Sequence, residues 1–260
     1  MIKPVVEIAA LGILYTLEWF FPLFKDRQDR GAHALRNISM GALNTLMLSL
    51  LFSSATVRVM EWAAANSFGF LNWIAWASSL KGVLAFILFD LWMYVWHVAN
   101  HKVPFLWRLH RMHHSDPQMD STTALRFHAG EIAFSALARL AVIPMIGMNF
   151  AQLLIYETCL QPVILFHHSN VHLPEKWDRV FRTVLVTPNM HRVHHSRLRP
   201  ETDSDYSSIF SFWDRLARSF RLRQDTLSLH YGLEGFDGKQ TQSFAGMIKT
   251  PFTNPSNMVS

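Results

Sequence analysis

The stretch "LKGVLAFILFDLWMYVWHVANH", residues 80–101, decides how the rest of the chain is read. It is long enough to cross a bilayer, which takes about 20 apolar residues as a helix. It starts in hydrocarbon and ends among polar groups at regular spacing. Asp90, Tyr94, His97 and His101 stand at i, i+4, i+7 and i+11, one face of an α-helix. Ionisable groups are costly inside lipid, so a spanning helix that carries them along one face points to a function at its end.

Three further apolar zones surround this one: Val5 to Phe24, Ile38 to Val59, and Ile132 to Phe166. The last is long enough for a hairpin, with Gly147 and Asn149 at its turn. Its arms are short for full spans, and Arg139 and Pro144 interrupt the first, so partial entry and complete crossing both fit. The expected fold is therefore all-α: an integral membrane bundle of three spans plus a helical hairpin, with a histidine-rich helical cap on the cytoplasmic side. It is expected as one domain over 1–260, with N-terminal spans in 1–84, the histidine region in 85–220 and a polar cap or tail in 221–260. "FAGMIKTPF", 244–252, is read as a lipid-facing stripe or a solvated loop.

Charge sets the orientation. Lys25, Arg27, Arg30 and Arg36 follow the first zone, Lys102, Arg108, Arg111 and Arg126 the third, and Arg179, Arg182, Arg192, Arg197 and Arg199 the fourth. The positive-inside rule places these clusters in the cytoplasm and the loop "EWAAANSFGFLNWIAWASS", free of Lys and Arg, outside. The first zone is too long and too aromatic for a secretory signal. A net charge of +5 could suggest nucleic acid, but the basic residues follow the apolar runs and surround no groove-reading motif. The single cysteine, Cys159, excludes an intramolecular disulfide and a cysteine-built zinc site.

The remaining signal lies in the histidines. "HRMHHS" at 110–115 and "HRVHHS" at 191–196 share one pattern. Fourteen histidines scattered at random over 260 residues would place His at both +3 and +4 of another about 0.04 times, and the chain does so twice. Positions i, i+3 and i+4 share a helical face. Pro104 suits a first helical turn and Pro117 limits continuation, so one short helix carries His110, His113 and His114. Thr187-Pro188 reads as an N-cap and first-turn proline for a second, with His191, His194 and His195. Each is expected to offer three imidazoles to one point. His97 and His101 add an i, i+4 pair. In "FHHSNVH", 166–172, His168 and His172 have the same spacing, and the stripe Glu157, Gln161, His168 turns His168 inward. His167 is read as structural, and His33, His128 and His230 lack partners at ligand spacing. Asp90 and Tyr94 are read as support, Asp90 accepting a ring N–H to orient a ligand; pairing of Asp90 with Arg139 is the alternative. Eight to ten imidazoles exceed one zinc site and suit two metals with open positions. Imidazole accepts zinc, copper, iron and nickel alike.

"HVANH", "HRMHHS" and "HRVHHS", in this order and after apolar spans, resemble the three histidine boxes of the fatty acid hydroxylase/sterol desaturase superfamily. The likeness continues through "LWRLHRMHHSDPQMDSTTALRFHAGE" and "TDSDYSSIFSFWDRL", covering residues 85 to 220. It implies a membrane oxygenase with two irons that spends O2 and two electrons on an unactivated C–H bond of a lipid. The boxes carry over to His97 and His101, to His110, His113 and His114, and to His191, His194 and His195; histidines between the second and third boxes map to His168 and His172. Val98 stands where the family commonly has Arg, Asp205-Tyr206-Ser207 where it has Asn-Tyr-Gly, and Arg218-Ser219 where it has Gly-Thr. These departures leave the substrate open among fatty acyl chains, sterols or hopanoids, carotenoids and ether lipids, and leave open hydroxylation against desaturation. No heme, ferredoxin or nucleotide fingerprint is present, so electrons are expected from a separate cytoplasmic carrier, a cytochrome or a ferredoxin with its reductase. A zinc-dependent non-redox membrane enzyme, or a metal transporter or sensor, is the competing reading. A transporter would place ligands near the bilayer midplane, whereas these boxes lie beyond the spans.

Overall fold

A computed structural model describes every residue except Met1, Asp26, Gln28 and 255–260. The last six residues of the expected tail thus lie outside the described residues. Among the described residues the chain is helical, with isolated bridges and no strand. The first part of the chain forms α1 (Ile2–Phe20), α2 (Arg30–Leu51), α3 (Ser53–Ala65), the single turn α4 (Phe70–Trp73), and α5 (Ser78–Lys102). After α6 (Pro104–His114) come α7 (Ala129–Ile146) and α8 (Phe150–His168). Short helices α9 (Glu175–Phe181), α10 (Pro188–His194), α11 (Arg199–Thr202), α12 (Phe212–Leu216) and α13 (Phe244–Lys249) close the chain.

Among the described residues two helices, α5 and α7, are long and apolar enough to cross a membrane, or three spans if the bent pair α2 with α3–α4 counts as one. This differs from the expected three spans plus hairpin in two places. α1 carries Lys3, Glu7 and Glu18 along 19 residues, so it does not meet the same test. The zone expected at Ile38–Val59 is no straight span: the helix breaks at Phe52 and turns by 49°. The segment expected as an outer loop is largely helical, and it exposes Trp62, Trp73 and Trp76, side chains of the kind that settle at a membrane–water boundary.

The hairpin turn is as read. Gly147 ends α7 in the left-handed region at φ +82°, which costs glycine no side-chain clash. Asn149 then caps α8 in a reciprocal box with Gln152. The core of this half packs Phe89, Ile143, Leu153, Tyr156, Leu160 and Ile209 between α5, α7 and α8. Outward faces carry Ile8, Ile13, Leu50, Val83, Leu137 and Ile155 exposed, more apolar surface than water tolerates and what lipid requires. Arg139 does not pair with Asp90. It meets Glu157 at 3.2 Å, and Lys3 meets the same carboxylate at 2.7 Å, so charges on α1, α7 and α8 neutralise one another.

Two arginines counted for orientation serve inside the protein instead. Arg126 is fully buried and donates to Met112 O, Ser115 Oγ and Gln242 Oε1. Arg192, also buried, donates to the Ser169 and Val171 carbonyls. Neither bears on a headgroup surface. The C-terminal segment straps α6: Arg111 donates to the Thr250 and Thr253 carbonyls, Gln242 to Ser115 O. Within "FAGMIKTPF" a helix forms; Met247 packs on Met40 and Met112, while Phe244, Ile248 and Phe252 stay exposed.

Candidate metal centre

Nine histidines from four elements converge at one end of the bundle. α5 brings His97 and His101, α6 brings His110, His113 and His114, α8 ends on His168, and α10 with its C-cap brings His191, His194 and His195. They form two adjoining clusters: His97, His101, His110, His114 and His194 in one, His113, His168, His191 and His195 in the other. Within each, one ring nitrogen per residue lies within 4.8 Å of the others.

The expectation that each short helix aims three imidazoles at one point is corrected here. On α6, His110 and His114 enter the five-histidine cluster and His113 enters the other; on α10 the division is reversed, with His194 crossing over. At 100° per residue, i+4 lies about 40° to one side of i and i+3 about 60° to the other. The three side chains therefore fan across an arc wide enough for two neighbouring points. The clusters touch where His114 stacks on His195, ring centroids 4.5 Å apart at 19°.

Helix starts place these residues. Pro104 occupies the first turn of α6 and Pro188 that of α10, where the missing N–H costs nothing. Thr187 takes the N-cap position of α10, but its hydroxyl makes no capping bond.

Ring orientation follows from what holds the far nitrogen. His97 Nδ1 donates to Tyr206 O at 2.8 Å, His194 Nδ1 to Ser204 O at 2.6 Å, and His168 Nδ1 to Ile164 O at 2.8 Å. A carbonyl only accepts, so each of these rings carries its proton at Nδ1 and a lone pair at Nε2. His110 Nδ1 donates to Glu131 Oε1 at 2.7 Å. The Nε2 atoms of His97, His101 and His194 are buried without a partner. His168 Nε2 lies 3.0 Å from both His113 Nε2 and His191 Nε2, and His110 Nε2 lies 3.2 Å from His114 Nε2. Buried lone pairs crowded at such distances suit a shared cation, and an all-imidazole donor set fits borderline divalent ions, iron and zinc among them.

Electrostatics agree. Burial first, and then the neighbouring histidines, hold His113, His114, His191, His194 and His195 well below the ordinary imidazole value. The rings are neutral, the form in which imidazole binds metal.

His172 joins neither cluster. α8 stops at His168, the backbone turns extended at Ser169, and the i, i+4 relation is lost; His172 is exposed, and its backbone N–H donates to Phe21 O. His167 is buried beside His191, with ring centroids 4.0 Å apart, and lies outside both clusters. His33 bonds Asp116 at 2.9 Å, His128 caps α7 through Gly130 N, and His230 is exposed.

Asp90 does not orient a histidine. Its carboxylate accepts from Tyr156 Oη, Trp213 Nε1 and the backbone of Ile209 and Phe210, residues distant in sequence that pack on α5 there. Tyr94 stands one residue back: its hydroxyl meets Ser219, and its ring meets Tyr206, which itself packs on His97 and His101. The carboxylate facing a ring is Glu131, in the first turn of α7, where its only sequence signal was an acid at a helix start. Asp203 is a second, 3.6 Å from His101 Nδ1 and shared by Lys102 and Arg199.

Comparison with known proteins agrees with this geometry. A family model described as Fatty acid hydroxylase matches residues 82–219, more than half of the chain. The chain is 28% identical over 207 residues to alkylglycerol monooxygenase from Homo sapiens, covering 77% of this chain and 43% of that protein. It is 24% identical over 257 residues to ornithine lipid hydroxylase OlsE from Rhizobium tropici, covering 96% of this chain and 75% of that protein. A cholesterol 25-hydroxylase-like protein from Danio rerio is 31% identical over 136 residues, about half of each chain. The chain thus spans less than half the length of the human alkylglycerol monooxygenase. No solved structure matches the chain. With the three boxes, the paired clusters and the matched region coinciding, the chain belongs to the fatty acid hydroxylase family.

Proposed function

We propose that the chain is a membrane di-iron oxygenase that hydroxylates a lipid, and the observation that carries this reading is the pair of adjoining all-imidazole clusters. Their residues would hold two irons: His97, His101, His110, His114 and His194 one, His113, His168, His191 and His195 the other. Iron held there supplies the activation of O2 that insertion into a C–H bond demands. The overall change is C–H plus O2, two electrons and two protons giving C–OH and water. The relatives named as lipid hydroxylases and monooxygenases favour hydroxylation over desaturation.

The protein's part is positional. The Tyr206 and Ser204 carbonyls keep the Nδ1 protons of His97 and His194, and the Glu131 carboxylate keeps that of His110, so the Nε2 lone pairs face inward. Eight of the nine rings are buried, which keeps bulk water from the site; His97 is the partly open one. The apolar outer faces of α5 and α7 sit in the bilayer, from which an acyl or alkyl chain reaches the centre. The centre lies on the cytoplasmic side, where a separate acidic electron carrier docks on the basic surface.

The test is anaerobic purification with iron quantification, O2 consumption, and lipid analysis of cells with and without the gene. Two irons per chain and a lipid pool that gains one oxygen atom are expected. Zinc with full activity and no O2 uptake would favour the non-redox reading and overturn this one.

A further inference from the structure

We propose that the two clusters are unequal, the five-histidine cluster being the tight metal site and the four-histidine cluster the labile one; this rests on the two-metal reading above. The difference lies in what stands behind the rings. In the five-histidine cluster His97, His110 and His194 each have the far nitrogen held, by Tyr206 O, Glu131 and Ser204 O. Asp203 lies near a fourth, His101, at 3.6 Å, beyond hydrogen-bond distance. In the four-histidine cluster only His168 is held, by the Ile164 carbonyl. The Nδ1 atoms of His113, His191 and His195 are buried without a hydrogen-bond partner; in the five-histidine cluster those of His101 and His114 are too, so three of five rings are held there against one of four. His113 is kept in place by stacking on Phe127, centroids 4.3 Å apart at 12°, a contact that fixes the ring plane but polarises nothing.

The supports of the first cluster are themselves pinned. Asp214 accepts from the backbone of Tyr206 and Ser207 and from Ser219 Oγ, which holds the carbonyl facing His97. Asp90 clamps the same segment to α5 through Ile209, Phe210 and Trp213. Asn100, between His97 and His101 on α5, donates to Glu131. Charge points the same way at one residue: nine neutral imidazoles cannot offset two dications, and Glu131, the carboxylate hydrogen-bonded to a cluster ring, serves the five-histidine cluster, whereas Asp203 is already shared by Lys102 and Arg199.

Each such partner is worth about 10–100-fold in metal affinity, so the two sites should differ by at least about 10-fold. Mutual repulsion of two dications would also separate the loading steps, but it does not say which cluster fills first.

The experiment titrates metal-free protein in detergent micelles with cobalt(II) alone, read by its visible absorption and by chelator competition. Two equivalents should bind in two resolved phases. His195→Ala should keep the tight phase and His97→Ala should lose it. Glu131→Gln should weaken the tight phase about 10-fold or more and leave the other in place; Asp203→Asn is the second variant should that protein not accumulate. Two equivalents in a single phase, loss of the tight phase in His195→Ala, or equal weakening of both phases by Glu131→Gln would overturn the proposal alone. Fewer than two equivalents in the parent protein would overturn the two-metal reading with it.

Discussion

Replacing Asp90 by alanine separates two accounts of the same carboxylate. Asp90 is completely buried in α5 and accepts four hydrogen bonds, from Tyr156 Oη at 2.8 Å, Trp213 Nε1 at 2.9 Å, Phe210 N at 3.1 Å and Ile209 N at 3.3 Å. Asp90→Ala leaves all four donors without an acceptor, each costing about 1–3 kcal/mol when dry. Removing the carboxylate also removes the cost of burying it, which offsets part of that sum. With four donors stranded and the carboxylate's own burial cost relieved, about 4 kcal/mol is expected, the lower end of the summed penalties. At roughly 2–4 °C per kcal/mol for a chain of this size, the unfolding midpoint should fall by on the order of 10 °C. Tyr156→Phe, which deletes one donor, should cost about 1 kcal/mol and a few degrees. The assay is thermal unfolding of metal-free protein in micelles, followed by tryptophan fluorescence. Were Asp90 instead the orienter of a histidine, its loss would lower metal affinity and leave the metal-free midpoint unmoved. An unchanged midpoint in Asp90→Ala would therefore refute the role assigned to it here.

Three further outcomes follow from the geometry. His97→Ala and His195→Ala should each lower the iron content from two per chain toward one, measured by elemental analysis, whereas His172→Ala and His230→Ala should leave it unchanged, since both are exposed and outside the clusters. Arg126→Met should destabilise the protein by about 3–5 kcal/mol in chemical denaturation, because a fully buried guanidinium links α6 to Gln242 and its removal strands their acceptors. In the metal-free protein, burial and mutual proximity hold His113, His114, His191, His194 and His195 well below the ordinary value of 6.5. The unfolded chain then binds more protons than the folded one below about pH 6.5, so the contribution of these rings to stability should fall as pH drops through that value. A midpoint independent of pH between about 5 and 7 would contradict neutral burial of these rings.

Much of the candidate site's geometry could be read from spacing, because local helical geometry dictates it. His97 with His101, His110 with His114, and His191 with His195 sit one helical turn apart on segments whose starts and stops are marked by Pro104, Pro117 and Pro188, and such pairs need no tertiary information. What failed needed it. His172 shares the spacing, but the helix ends at His168, and Asn170 bonds Phe24 and Glu18 of the first zone instead of continuing the turn. Glu131 lies 21 residues from the ring it holds, and nothing local distinguishes it from an acid favoured by a helix N-terminus. Asp90 invited pairing with histidines seven and eleven residues on, along its own helix; its partners come from Tyr156 and 209–213 instead. The spans were blurred for a related reason. Hydropathy marks an apolar zone but not a break such as that at Phe52, nor the use of Lys3, Arg139 and Glu157 to neutralise one another across three helices. Counting Arg126 and Arg192 as surface charge was the same error, since a buried arginine and an exposed one look alike in sequence.

The central claim is that O2 chemistry on a lipid takes place at these nine histidines. It is tested most directly by supplying isotopically heavy O2 to membranes containing the reconstituted, iron-loaded protein and a reductant, and measuring label in the lipids by mass spectrometry. The account predicts one labelled oxygen atom per product lipid, absent in His110→Ala. Unlabelled product, with its oxygen drawn from water, would contradict it.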